Sequence, residues 1–134
     1  MIPDLAGQTI DILRLDGSVQ FWTSENWSTV LATLSVALPG QDPVEVDPGD
    51  PVDHDAGETY PDLPDVLKPF LGKTIHKASV NPRWDLHIEF TDGSRFDVPA
   101  GWSYEAWELH GPGGELFICR PGGGGLLEFD AWAQ

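Results

Sequence analysis

The stretch Trp84-Asp-Leu-His-Ile-Glu-Phe-Thr-Asp-Gly93 decides the fold class. Trp84, Leu86, Ile88 and Phe90 recur with a period of two, while Asp85, His87, Glu89 and Thr91 fill the alternate positions. Successive side chains of a strand point to opposite faces, so this alternation predicts a strand with one face in a core and one in water. Asp92-Gly93 supplies the two-residue hairpin signal, and Ser94, Phe96 and Val98 continue the inner face beyond it.

The same grammar extends from Leu71 to Gly122, where short apolar runs are cut by Gly, Pro and Asp-Gly. Such punctuation predicts a β-meander. Upstream the plan repeats. Leu5-Ala-Gly-Gln-Thr-Ile10 matches Phe70-Leu-Gly-Lys-Thr-Ile75 at Gly, Thr and Ile with an offset of 65, and Pro48-Gly49 parallels Pro121-Gly122 with an offset of 73. We read one domain, 1–134, made of two pseudo-repeats (about 5–49 and 70–129) joined by an acidic, Pro-rich loop over 50–69. The extra length of the second copy is assigned to Asn81–Trp84 and Pro99–Trp102, and Asp16-Gly17 is equated with Asp92-Gly93. Residues 26–38 fit either a helix or a strand through Trp27, Val30, Leu31, Leu34 and Leu38; their Thr and Val content favours strand. The expected architecture is all-β: two related antiparallel meanders packed as a sandwich or a partly closed barrel.

Charge is the loudest global feature. Twenty-two acids against seven bases give a net charge of −15. The imbalance is uneven: residues 1–67 carry thirteen acids and one base, Arg14, whereas 68–134 carry nine acids and six bases. Pro39–Asp65 holds nine acids, six Pro and no Lys or Arg. Such a surface repels nucleic acid and anionic lipid and attracts a basic protein, so neither nucleic acid nor membrane is an expected partner. No apolar run approaches the roughly 18 residues of a membrane span. The opening Met-Ile-Pro-Asp-Leu lacks a basic n-region and an apolar h-region, so no signal peptide is read and the cytoplasm is the expected compartment.

Chemical motifs are sparse. Asp50, Asp53, Asp55 and Glu58 resemble a calcium loop, but from Asp53 the third ligand position is Gly57 and the bidentate Glu position is Pro64. His54, His76, His87 and His110 show no metal-ligand spacing, and the single Cys119 sits in an apolar run as a buried thiol. The expectation is no metal, no cofactor and no catalytic residue. The glycine-rich Gly111–Gly114 and Pro121–Gly125 lack the strand-loop-helix context of a phosphate loop and read as turns. In Tyr104-Glu-Ala-Trp-Glu-Leu-His110, Glu105 shares a strand face with Trp107 and Leu109. If Trp107 enters the core Glu105 follows, needing Arg95, Arg83 or backbone donors as partner in a structural polar clasp, or else becoming a raised-pKa acid in a cleft.

With these residues laid out, the second copy resembles a family of short bacterial proteins known only as a domain of unknown function. The resemblance rests on Leu71-Gly72 with Ile75, Phe90-x-Asp92-Gly93, Glu105-x-Trp107-x-Leu109, Gly111-Pro-x-Gly114 and Pro121-Gly-Gly123, over about 70–129. It implies no activity and no catalytic residues. Small acidic all-β proteins of this kind resemble immunity proteins encoded beside secreted toxins, and that resemblance implies a non-enzymatic binding role. The partner-binding residues expected are Asp47, Asp50, Asp53, Asp55, Glu58, Tyr60, Trp102 and Tyr104, facing the basic groove of a toxin such as a nuclease. The alternatives are an accessory or homo-oligomerising domain, and a small enzyme or ligand binder using the Glu105/His87 neighbourhood.

Overall fold

The computed structural model describes residues 2–101, 104–121 and 126–129. It is all-β and sandwich-like. Among the described residues eleven strands run in chain order: β1 (Ile10–Leu15), β2 (Val19–Thr23), β3 (Ser28–Leu31), β4 (Leu34–Ala37), β5 (Val44–Val46), β6 (Ile75–Val80), β7 (Leu86–Phe90), β8 (Arg95–Val98), β9 (Trp107–His110), β10 (Leu116–Cys119) and β11 (Leu126–Phe129). They form two antiparallel sheets, ordered β1-β2-β3-β9-β10-β11 and β5-β4-β8-β7-β6. The sandwich of the two expected forms is therefore the one adopted, with no closed barrel. Residues 26–38 are strand, as β3 and β4.

The two expected meanders do not keep to separate sheets. β1-β2-β3 form a meander in the first sheet, and after Ala32-Thr33 the chain crosses to the second sheet as β4-β5. β6-β7-β8 form a meander in the second sheet, and after Pro99–Ala106 the chain crosses back as β9-β10. Each half thus completes the other's sheet, β3 pairing with β9 and β8 with β4. The registers correspond closely. Thr29↔Leu109 in one sheet has Phe96↔Val36 as its counterpart in the other, the residues standing 67 and 73 positions apart. The bulge between Ile10 and Ile12 recurs between Ile75 and Lys77.

Where the halves meet, Thr9 and Thr74 form an isolated bridge. Around it the Gly7 N–H donates to Ile75 O (2.8 Å) and the Gly72 N–H to Ile10 O (2.8 Å), the same bond with the halves exchanged. The extra residues of the second half lie in the β6–β7 turn and the Pro99–Ala106 crossing. Equating Asp16-Gly17 with Asp92-Gly93 is corrected by this order. Asp16-Gly17 joins β1 to β2 and corresponds to the Asn81–Asp85 turn, whereas Asp92-Gly93 joins β7 to β8. Asp-Gly marks a tight turn but carries no information on which turn of a three-strand meander it occupies.

The core lies between the sheets. From the first sheet it takes Leu13, Leu15, Val19, Phe21, Leu31, Trp107, Leu109 and Phe117; from the second, Leu34, Val36, Ile75, Leu86, Ile88, Phe90, Phe96 and Val98. Phe70, on the short 3₁₀ turn Lys68–Phe70, lies 4.5 Å from Phe96 and 5.3 Å from Phe90 between ring centroids, and Phe21 reaches Phe96 at 6.2 Å. These offset and edge-on rings tie both sheets to the end of the acidic loop. Cys119 is fully buried, and burial pushes its thiol up.

Gly17 has φ +66°, and a Cβ built there would meet Pro51 Cγ at 2.8 Å. Gly17→Ala adds backbone strain to a clash with the segment that rests on this turn. A loss of about 1–3 kcal/mol is expected, read as a lower urea midpoint at unchanged m-value. A change within about 0.3 kcal/mol would mean that the segment does not press on the turn.

Candidate functional site

The acidic segment expected as a loop or linker over 50–69 is an ordered strap from Asp47 to Val66 that leaves β5 and lies against the β1–β2 turn. Its shape follows from its residues. Asp47 Oδ1 accepts the Gly49 N–H (3.0 Å), and Gly49 takes φ +75° to turn the chain. Pro51 rests on Gly17, and the Val52 N–H donates to Asp16 Oδ1 at 2.8 Å. Asp53 and Glu58 close the next turn: Asp53 Oδ1 accepts the Ala56 N–H (3.1 Å) and Glu58 Oε2 accepts the Asp53 N–H (2.9 Å).

Tyr60 then lies over Arg14, whose Cζ is 4.5 Å from its ring centroid and also 4.5 Å from that of Trp22. The guanidinium is held between two aromatic faces, a cation–π clasp, and its Nε donates to Gln20 Oε1 at 2.8 Å. His54 meets Tyr60 edge-on at 5.1 Å. Leu63 and Val66 pack on the core, and Leu67 and Phe70 are buried in it. The strap is therefore pinned at both ends and in the middle.

All nine carboxylates from Asp42 to Asp65 are exposed. Among the described residues only Asp65 of the nine makes an ion pair, with Lys68 at 3.2 Å. The sequence-expected residues converge here in two adjoining grooves. One, about 390 Å³, is lined by Asp47, Tyr104 and Glu105. The other, about 690 Å³, is lined by Asp50 and Glu58, and the two share Pro48 and Gly49. Asp53, Asp55 and Tyr60 lie along the strap; Tyr60 is 40% exposed but engaged with Arg14, and Tyr104 is 45% exposed. Trp102 falls outside the described residues.

The clasp between Glu105 and Arg95 does not form. β9 begins at Trp107, so the alternation that would have carried Glu105 inward starts after it; Ala106 and Trp107 are buried while Glu105 is exposed. Arg95 stands on β8 in the other sheet, its Nε 2.9 Å from Asp97 Oδ2. Glu105 instead faces Glu108. The hydrogen bond with Glu108 foremost, then desolvation and charge repulsion, raises the Glu105 pKa. His110 Nε2 lies 3.2 Å from Glu108 Oε2, extending this polar line on the outer face.

A carboxyl whose folded pKa lies above its unfolded value costs stability as pH rises from the unfolded value through the folded one, because the folded state then loses the proton it held more tightly. Glu105→Gln is therefore expected to flatten the stability-against-pH curve in that acidic window and to leave neutral-pH stability equal or slightly higher. Thermal melts across pH 4 to 7 read this. A steeper slope for the variant would contradict the shared proton.

Of Glu105 and His87, paired in the enzyme alternative, His87 stands in the second sheet, whereas Glu105 precedes β9 of the first. His87 is on the outer face of β7, its Nδ1 2.6 Å from Asp97 Oδ1 and its Nε2 3.4 Å from Asn81 Nδ2. Asn81 Nδ2 also donates to Asp85 Oδ2 at 2.9 Å. Among the described residues no hydrogen bond or ion pair links this network to Glu105. Among the described residues, no group of three or more His, Cys, Asp or Glu is placed to hold a metal ion.

Sequence reasoning missed Arg14, Asp16 and Gly17, the residues that fix the strap. One signal was present: Arg14 is the lone base of the first 67 residues, and a solitary cation in so acidic a segment is a candidate anchor.

The family model of a family of unknown function, DUF6188, matches residues 1–126. The chain belongs to that family. The match runs through both halves and the strap between them as far as the first residue of β11, starting well before the 70–129 of the sequence-level resemblance. No curated protein and no solved structure matches the chain. Among the described residues of this DUF6188 protein no helix is long and apolar enough to cross a membrane.

Proposed function

We propose that this protein is a non-enzymatic binding protein that captures a basic protein partner on its strap face. The reading that fits best is a cytoplasmic immunity protein that occludes the cationic active-site groove of a cognate toxin, such as a nuclease. The observation that carries it is the pinned strap together with the β5 segment that leads into it, whose nine carboxylates from Asp42 to Asp65 are exposed and, Asp65 apart, free of ion pairs among the described residues. A fixed array of uncompensated like charge is unfavourable in isolation and is relieved when Lys and Arg of a partner arrive. Steering by such a field raises association rates by about 10–10³-fold.

The grooves beside Pro48 and Gly49 offer concave surface for partner side chains, with Tyr104 as an exposed aromatic anchor. Nucleic acid and anionic membranes are poor partners for the same field. The test is co-expression with the toxin-domain product of an adjacent gene, followed by binding of the purified pair. Rescue of growth together with salt-sensitive binding is the expected result. Failure to rescue, or binding indifferent to salt, would overturn the proposal.

A further inference from the structure

The two sheets differ on their outer faces. Along β6, β7 and β8 the outward side chains are Lys77, Ser79, His87, Glu89, Arg95 and Asp97, all polar. Asp97 pairs there with both His87 and Arg95. This is the ordinary wet side of an antiparallel sheet. On the first sheet the same alternation turns Ile12, Trp22, Val30, Leu116 and Ile118 outward. Ile12 is 53% exposed and the other four are half-buried.

The fold does not ask for those residues. In the corresponding registers of the two halves, the cross-strand row Ile12, Trp22 and Ser28 takes the place of Lys77, Glu89 and Arg95. The row of Gln20 and Val30 likewise takes the place of His87 and Asp97. Polar and charged side chains fill these backbone positions in the second half, so the strands do not require apolar ones in the first. Apolar side chains gathered on an outer face mark a surface that meets a partner.

The border of this face selects its occupant. Val30 lines the groove that also holds Asp47, Tyr104 and Glu105, and no Lys or Arg lines that groove. The apolar face and the strap are thus one continuous surface. Glu108 stands opposite Val30 within the face, and the base beside it, Arg14, is already held between Trp22 and Tyr60. A second copy docked here would bring two acidic straps to the same side, so like charge opposes it and a cationic partner is admitted. We infer that the outer face of the first sheet is the apolar half of the partner interface, receiving an apolar patch of a basic protein whose bordering Lys and Arg reach the strap acids. The inference rests on the strap reading for the sign of the partner's charge and adds where its apolar contact falls. Strap charge then governs association, and Trp22 and Val30 govern how long the complex lasts.

The experiment titrates the full-length, ¹⁵N-labelled protein with a synthetic amphipathic helical peptide of leucine and lysine, and with the same peptide in which serine replaces leucine. The leucine peptide is expected to shift amides around Ile12, Trp22, Val30 and Leu116–Ile118 as well as the strap. The serine peptide should shift the strap alone and bind at least about tenfold more weakly. Trp22→Gln with Val30→Thr should weaken the leucine peptide at least about tenfold and keep a folded spectrum, because polar residues occupy the equivalent positions of the second half. Ile118→Thr, which leaves the Arg14 clasp untouched, should weaken it too. Overturning results are the absence of shifts, equal binding of both peptides with shifts confined to Asp47–Val66, shifts centred instead on Lys77–Trp84, or undiminished binding by both variants. The strap reading fails differently: leucine-peptide binding on the sheet that ignores both salt and neutralisation of the strap acids removes the strap and leaves the apolar face standing.

Discussion

Trp107→Ala is expected to cost about 3–5 kcal/mol of folding stability, the largest effect of any single substitution considered. Trp107 is fully buried in β9, a strand flanked on both sides by β3 and β10, so the sheet cannot easily collapse into the space left behind. Its indole N–H also donates to Trp84 O at 2.8 Å, which among the described residues otherwise keeps only a weak bond from Cys119 Sγ at 3.6 Å. Trp107→Phe separates the two contributions. It retains much of the apolar volume and loses the donor, and is expected to cost about 1–3 kcal/mol. Urea denaturation followed by circular dichroism reads both values. A loss below about 1 kcal/mol for Trp107→Ala would place this ring outside the core.

Neutralising the strap should have the largest effect on binding. Replacing Asp47, Asp50, Asp53, Asp55 and Glu58 with Asn or Gln removes charge while keeping a side-chain oxygen at each position. The amide oxygens of Asp53→Asn and Glu58→Gln can still accept the backbone N–H groups that shape the turn. Folding stability is therefore expected to stay equal or rise as like-charge repulsion is relieved. Association with the basic partner should slow by about 10–100-fold at low salt. The difference from the parent protein should shrink towards 1 M salt, where the Debye length falls to about 3 Å. Stopped-flow association at several ionic strengths tests this. Equal rates at low salt would show that the strap charge does not steer binding.

The local features of the fold were legible in the residues. Leu86, Ile88 and Phe90 are buried while His87 and Glu89 face outward, as alternation requires. The pairing of β3 with β9 and of β8 with β4 was not legible. Backbone hydrogen bonds are alike for every residue, and the two-residue Ala32-Thr33 link looks like an ordinary hairpin until its strands are seen in different sheets. For the candidate site, the acidic residues were legible from composition, and their gathering around Pro48 and Gly49 was not. Glu105 was misplaced because the strand's period of two was extended two residues ahead of the start of β9, where the alternation of faces does not yet hold.

Sequence alone determined that this chain is all-β, where its turns fall, and that its negative charge is concentrated in one Pro-rich segment. Those properties are local: alternation, turn chemistry and the count of carboxylates are set by neighbours along the chain. Tertiary structure decided which half completes which sheet and where the strap lands. These depend on contacts between residues far apart in sequence, such as Arg14 with Tyr60 and Gly17 with Pro51, which form only once both sheets are assembled.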